Sequence, residues 1–307
     1  MGLIFHNGKF VPEEQIQKIN EEAAVLRQLR AFLDKNEPGL VRILVNTWHS
    51  QGKAITYKEL REAILAGEIS MEYLEDWMQD YSKFVTEHMQ PAWEKAIKTA
   101  AEERERMYPA WKFDPMGDAV RSWVEIHAAE FVTNVTTSQI DGLRAVVQRA
   151  AALEDLSVDE LARSIRSMVG LTKQQSKANL KYYNTLIKNG TKKERALDLS
   201  TRYAAQQHRY RAYSIARTEL ATAYNQGAYE GTKQAQAAGY MGKTKKFWCT
   251  ADDERVCPTC GRLEGKEVDM DEEFDGASRS WSTRLTPPAH QGCRCAVIYR
   301  EVSPPKY

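Results

Sequence analysis

Two short cysteine clusters constrain this chain more than any other feature. Cys257-Pro-Thr-Cys260 and His290-Gln-Gly-Cys293-Arg-Cys295 flank an acidic, glycine-bearing segment with no apolar periodicity of its own, so something must tie its two ends together. All five cysteines, Cys249 included, lie in this last part of the chain. A Cys-x-x-Cys turn directs two thiolates to one point. His290 with Cys293 or Cys295 completes a tetrahedral set of three sulfurs and one nitrogen, the donor set of structural zinc. Disulfides could clamp the same loop, although the cysteine number is odd and nothing upstream reads as a secretory signal. A redox pair at Cys257 and Cys260 would call for a helix start inside a βαβ pattern, which the sequence does not show. Cys249 is the spare thiol, and Cys293 and Cys295 compete for the fourth position.

A zinc deaminase also uses Cys-x-x-Cys, but it needs an upstream His-x-Glu whose carboxylate moves protons. No His-x-Glu, His-Glu-x-x-His or Walker-type glycine loop occurs here. Four protein ligands would close the site to water, so the metal reading is structural rather than catalytic.

Length and charge bound the rest. A chain of 307 residues can bury a substantial core and divide into two or three domains. No apolar run is long enough to span a bilayer, and the N-terminus carries neither a signal peptide nor a myristoylation motif, so a cytoplasmic protein or particle component is expected. The net charge of +1 hides an uneven distribution. Residues 161–246 hold 17 Lys or Arg against four acids, whereas the segments on either side are net acidic. Such a basic stretch fits a polyanion-binding surface, with Lys181, Lys188, Lys192, Lys193, Arg202, Arg209 and Arg211 as the candidate phosphate contacts. The plainer alternative is a solvated helical face docked on acidic protein.

Periodicity predicts a mostly α chain with a small C-terminal β module, α+β in class. Residues 1–12 read as a short hairpin turning at Asn7-Gly8. A 3.6-residue apolar stripe then runs from Ile16 to Leu33, is expected to break at Pro38-Gly39, and resumes through Trp48. Thr56-Tyr-Lys-Glu59 opens a short helix as a capping box. A long helix follows on Leu74, Trp77, Tyr81 and Phe84, with a kink expected at Pro91 and His88 read as a core histidine. Another helix spans about 117–133, and the polar stretch 134–138 reads as a joint between domains. Boxes at Ser138, Ser157, Thr172 and Thr191 suggest a series of short helices before a final one from about Ser200 to Ala238. On that helix Arg217, Ala221 and Asn225 share a face, and its small residues would let a neighbouring backbone approach closely. After Gly239 the period shortens toward 2, and Lys245–Thr250 should pair with the strand after Cys295. The resulting division is 1–134, 135–240 and 241–307.

Several of these residues form a recognisable series. Ala216-Arg217-Thr218-Glu219, Asn225-Gln-Gly227, Trp248, Asp253-Glu-Arg255-Val256-Cys257-Pro-Thr-Cys260, Leu263-x-Gly265 and Pro287-Pro-x-His290-x-x-Cys293-Arg-Cys295 resemble the phage Mu F-like minor head proteins, also called head morphogenesis proteins, over about residues 135–302. The resemblance implies a non-enzymatic virion protein made in the host cytoplasm. It would act beside the portal and other head or scaffold proteins in procapsid assembly, DNA packaging or ejection, and contact double-stranded DNA without sequence preference. It also marks Arg217, Glu219 and Asn225 as a family motif. The competing class is an enzyme acting on nucleic acid or protein, with the Cys/His cluster or the Arg217, Glu219 and Asn225 group as its active site. An open metal position or a titratable pair in a cleft would distinguish it.

Overall fold

The computed structural model describes residues 3–6, 9–68, 71–150, 157–251, 253–275 and 285–305. The elements are β1 (Leu3–His6), β2 (Lys9–Pro12), α1 (Glu13–Ala54), α2 (Tyr57–Ala66), α3 (Met71–Phe84), α4 (Gln90–Met107), α5 (Asp118–Ala150), α6 (Val158–Arg166), α7 (Lys173–Lys188), α8 (Lys193–Ala237), β3 (Thr244–Cys249), α9 (Pro258–Gly261), β4 (Glu267–Asp269) and β5 (Ala296–Glu301). The mostly α reading with a small C-terminal sheet is borne out. Among the described residues, no helix is long and apolar enough to cross a membrane.

Three expected breaks are absent. α1 runs through Pro38. An internal proline costs about 3 kcal/mol, but Leu29 and Leu33 before it and Leu44 and Trp48 after it are buried. Each such side chain returns about 1.5–3 kcal/mol, so burial outweighs the lost hydrogen bond. α5 likewise runs through 134–138, with Val135, Thr136, Gln139 and Ile140 buried, so packing overrides a polar local composition. Ser138 therefore caps nothing. α8 begins at Lys193 rather than Ser200, because Ala196 and Ser200 are already buried on its inner face. The boxes at Thr56, Ser157 and Thr172 do form, each with its reciprocal pair of hydrogen bonds. At Pro91 the strain appears one turn upstream as a π-helical turn, Val85–Met89, where the Gln90 amide donates to the Val85 carbonyl. His88 is half-exposed there, edge-on to Phe84.

The chain divides into two compact units, neither of them continuous in sequence. One comprises residues 38–90 and 123–213. Its core gathers Ile55, Leu60, Trp77, Leu143, Ile165 and Leu180. A buried polar network lies beside it: Trp48 Nε1 donates to the Tyr81 hydroxyl (2.8 Å), Tyr81 donates to Gln139 Oε1, and Gln139 Nε2 donates to Gln51 Oε1 (3.1 Å). His208 Nε2 donates to the Val169 carbonyl at 2.7 Å.

The other unit comprises residues 1–37, 91–122 and 214–307. β1 and β2 pair antiparallel as expected, while the Asn7-Gly8 turn lies outside the described residues. α4 and α8 pack with their backbones nearly touching, as the small residues of α8 suggested: a Cβ on Gly227 would fall 2.3 Å from the Ile97 carbonyl oxygen. The C-terminal sheet has the order β4-β3-β5, all antiparallel, with Phe247 opposite Ile298 and Cys249 opposite Ala296. Trp248, Leu263, Phe274, Val297 and Tyr299 form its core. Lys246 is buried within this unit, its ammonium donating to the Glu272 and Leu285 carbonyls (2.8 and 2.9 Å) between the Tyr229 and Phe274 rings. Burial pushes its pKa down to about 8.

Candidate metal centre and basic face

The first ligand turn is built by Cys257 capping α9. Its Sγ accepts from the Cys260 amide at 3.3 Å, its carbonyl accepts from the Gly261 amide, and Pro258 stands in the first turn, where its missing N–H is not needed. The second turn is His290-Gln-Gly-Cys293, closed by the Cys293 amide on the His290 carbonyl. Gly292 supplies the left-handed conformation this turn requires (φ 72°). His290 Nε2 lies 3.0 Å from Cys257 Sγ and 3.2 Å from Cys260 Sγ, and Cys260 Sγ lies 3.6 Å from Cys293 Sγ.

These donors fit a metal ion. Tetrahedral zinc with ordinary bond lengths separates its ligand atoms by about 3.5–3.8 Å, within a few tenths of an ångström of two of these spacings. His290 Nδ1 donates to the Gln291 carbonyl at 2.8 Å, which turns the free lone pair of Nε2 toward the thiols, the second-sphere contact that metal-binding histidines make. The donors fall into two overlapping sets, Cys257 with Cys260 and His290, and Cys260 with Cys293 and Cys295, so Cys260 is common to both. Cys249 belongs to neither and points toward the Glu22 and Thr250 carbonyls. The Cys260–Cys293 separation is well beyond a disulfide bond of about 2.05 Å, and the cysteines are free thiols.

The hydrogen bond between Cys260 and Cys293 holds the Cys293 thiol well below its usual range and raises that of Cys260. Burial disfavours the charged His290 ring, but the Gln291 carbonyl and the Cys293 and Cys257 sulfurs outweigh it and raise its pKa.

Residues outside the expected ligand set brace this cluster. Arg294, between two of the cysteines, forks onto Asp253 with both bonds at 2.6 Å and so joins the two ligand loops. Arg294 and the Asp253–Arg255 amide and guanidinium contacts hold the Asp253 carboxyl far below its ordinary value. On α8, Thr218 Oγ1 accepts from the Gly292 amide at 2.9 Å, and Asn225 Nδ2 donates to the Ala221 carbonyl (2.9 Å) and to the Cys295 carbonyl at 3.4 Å. Both side chains sit in the motif quoted from the sequence, which is the signal that could have found them. Arg217 makes an ion pair within the chain, Nε to Glu37 at 2.6 Å with Asp34 at 3.5 Å, and Glu219 is half-buried.

Six of the seven candidate phosphate contacts are exposed: Lys181 and Lys188 on α7, Lys192 and Lys193 in and after the following turn, and Arg202 and Arg209 on α8. Arg202 shares Asp198 with Arg195. Arg211 does not belong with them. It is 7% exposed, donates to the Gly170 carbonyl and lies 5.1 Å over the Trp48 ring, so it serves the core rather than a surface. Its place in the helix repeat, two residues after Arg209, turns it inward.

These features define a class: a helical protein whose C-terminal module carries a Cys/His cluster, contacted by side chains of the long helix α8. Residues 156–298 match the family model described as Phage Mu protein F like protein, which identifies this stretch, from just before α6 into β5, as Mu F-like. The resemblance seen in the sequence therefore holds over this stretch. No curated protein and no solved structure matches the chain significantly.

Proposed function

We propose that this chain is a minor head protein of the virion that docks on the portal and touches double-stranded DNA without sequence preference. The observation that carries the DNA part is the exposure of Lys181, Lys188, Lys192, Lys193, Arg202 and Arg209 within the Mu F-like stretch. Phosphate contacts of this kind release counterions and need no base reading. In this reading the acidic first 134 residues and the basic segment 135–240 serve head and DNA contacts, and 241–307 is a zinc-clamped module. Cys257, Cys260 and His290 hold the ion, and Cys293, in the paired His-x-x-Cys turn, is the fourth ligand. Zinc would supply folding energy to a segment rich in loops.

Isolation of portal complexes from infected cells tests the reading. The chain should co-purify with portal at a fixed ratio and remain in finished heads. Its absence from both portal complexes and virions would refute a head role. Its presence in heads without portal would refute only the docking.

A further inference from the structure

We infer that Thr218 is a positioning residue for the second metal-ligand turn, with Asn225 as its partner two helical turns on. The inference rests on the metal reading of the Cys/His cluster.

Thr218 is 2% exposed and its hydroxyl both donates and accepts a hydrogen bond. The O–H donates to the Ser214 carbonyl at 2.7 Å, which fixes the hydroxyl so that its oxygen accepts from the Gly292 amide at 2.9 Å. Gly292 lies between His290 and Cys293, at the left-handed point of the turn. Fixing its amide therefore fixes the direction in which both donors are presented. Asn225, also 2% exposed, holds the carbonyl of Cys295.

The spacing of the two anchors supports a joint role. Seven residues of α-helix rise about 10.5 Å, and the three residues from Gly292 to Cys295 can reach up to about 10 Å. α8 thus grips both ends of the segment that carries Cys293, and it does so from the rigid middle of a 45-residue helix. Loss of such an outer contact ordinarily weakens metal binding by about 10–100-fold.

The test uses the full chain, with zinc and cobalt(II) as probes. Affinity is read by competition with a chromophoric chelator and ligand geometry from the visible spectrum of the cobalt form. Wild type and Thr218→Ser should bind one ion with equal affinity and the same spectrum. Thr218→Val should bind at least about tenfold more weakly with a shifted cobalt spectrum. Equal affinity and an unchanged spectrum in Thr218→Val would overturn the inference while leaving the metal reading intact. Failure of wild type to take up stoichiometric zinc or cobalt would overturn the metal reading itself. If Thr218→Val does not fold, hydrogen exchange in the native, zinc-loaded protein decides. The Gly292 amide should be protected, and exchange at the rate of an open loop would overturn the inference.

Discussion

Replacing Lys192 and Lys193 together with Gln should change how salt affects DNA binding without changing the fold. Both are exposed around the turn that follows Gly190, away from the core. With six exposed cations in contact with phosphate, the slope of log affinity against log salt is roughly −5, and raising salt from about 50 to about 200 mM weakens binding by about 10³. Arg202, already paired with Asp198, contributes the least of the six. The double variant loses two contacts, so its slope falls by about 2 and the same salt step costs only about 10². Fluorescence anisotropy with a short labelled duplex measures this directly. Arg211→Gln is the internal contrast: it breaks the Gly170 contact and the packing on Trp48, and should lower stability by about 1–3 kcal/mol while leaving the slope alone. An unchanged slope in the double variant, or no measurable affinity of wild type at low salt, would refute the DNA surface. The exposed charges would then face an acidic protein surface.

Three further outcomes follow from the packing and the cluster. Removing metal with a strong chelator, or substituting Cys260→Ser, should open residues 241–305 to proteolysis while α5–α7 stay protected, and Cys295→Ser should keep its zinc where Cys293→Ser loses it; elemental analysis and limited proteolysis read both. Gly227→Leu should destabilise by about 1–3 kcal/mol in chemical denaturation because its Cβ meets the Ile97 carbonyl, whereas Gly39→Ala, in open space inside α1, should stabilise by about 0.5–1 kcal/mol. Acid should weaken the unit that holds His208. Burial pushes this ring down to about 4, with the Val169 carbonyl opposing and His49 and Arg211 adding to the shift. The neutral ring is therefore favoured on folding: its contribution is complete above the unfolded pKa of about 6.5 and is lost as pH falls toward 4, about 3 kcal/mol in all. His208→Gln should flatten stability between those values, and an equally steep loss in the variant would place the acid response elsewhere.

The cluster was legible because ligand chemistry imposes spacing: Cys-x-x-Cys and His-x-x-Cys can be read without any knowledge of the fold. The strand pairing was legible for a similar reason, since the change of period after Gly239 and the β-branched run after Cys295 are local. What misled was local too. Pro38 and the polar 134–138 stretch signal breaks by propensity, yet both lie in helices whose flanking residues are buried. Arg211 was grouped with its basic neighbours because charge alone does not say which way a side chain faces. The same limit hid Lys246, which a strand of alternating residues turns into the core beside its half-exposed neighbour Lys245. Thr218 and Asn225 stood in plain view, but their partners are about seventy residues away and only the fold supplies them.

The interleaving of the two units sets an order of events during synthesis. The unit made of 38–90 and 123–213 possesses all its residues once Tyr213 has been made, whereas the other draws on both the first 37 and the last 94 residues. At about 5–20 residues per second the ribosome needs roughly 5–20 s more to deliver that remainder. Throughout that interval the start of α1 has no β5 to meet, because the Arg300 contacts to Glu21 and Glu22 come from the last strand made. A nascent chain halted before Ala296 would carry one finished unit and a second that cannot close.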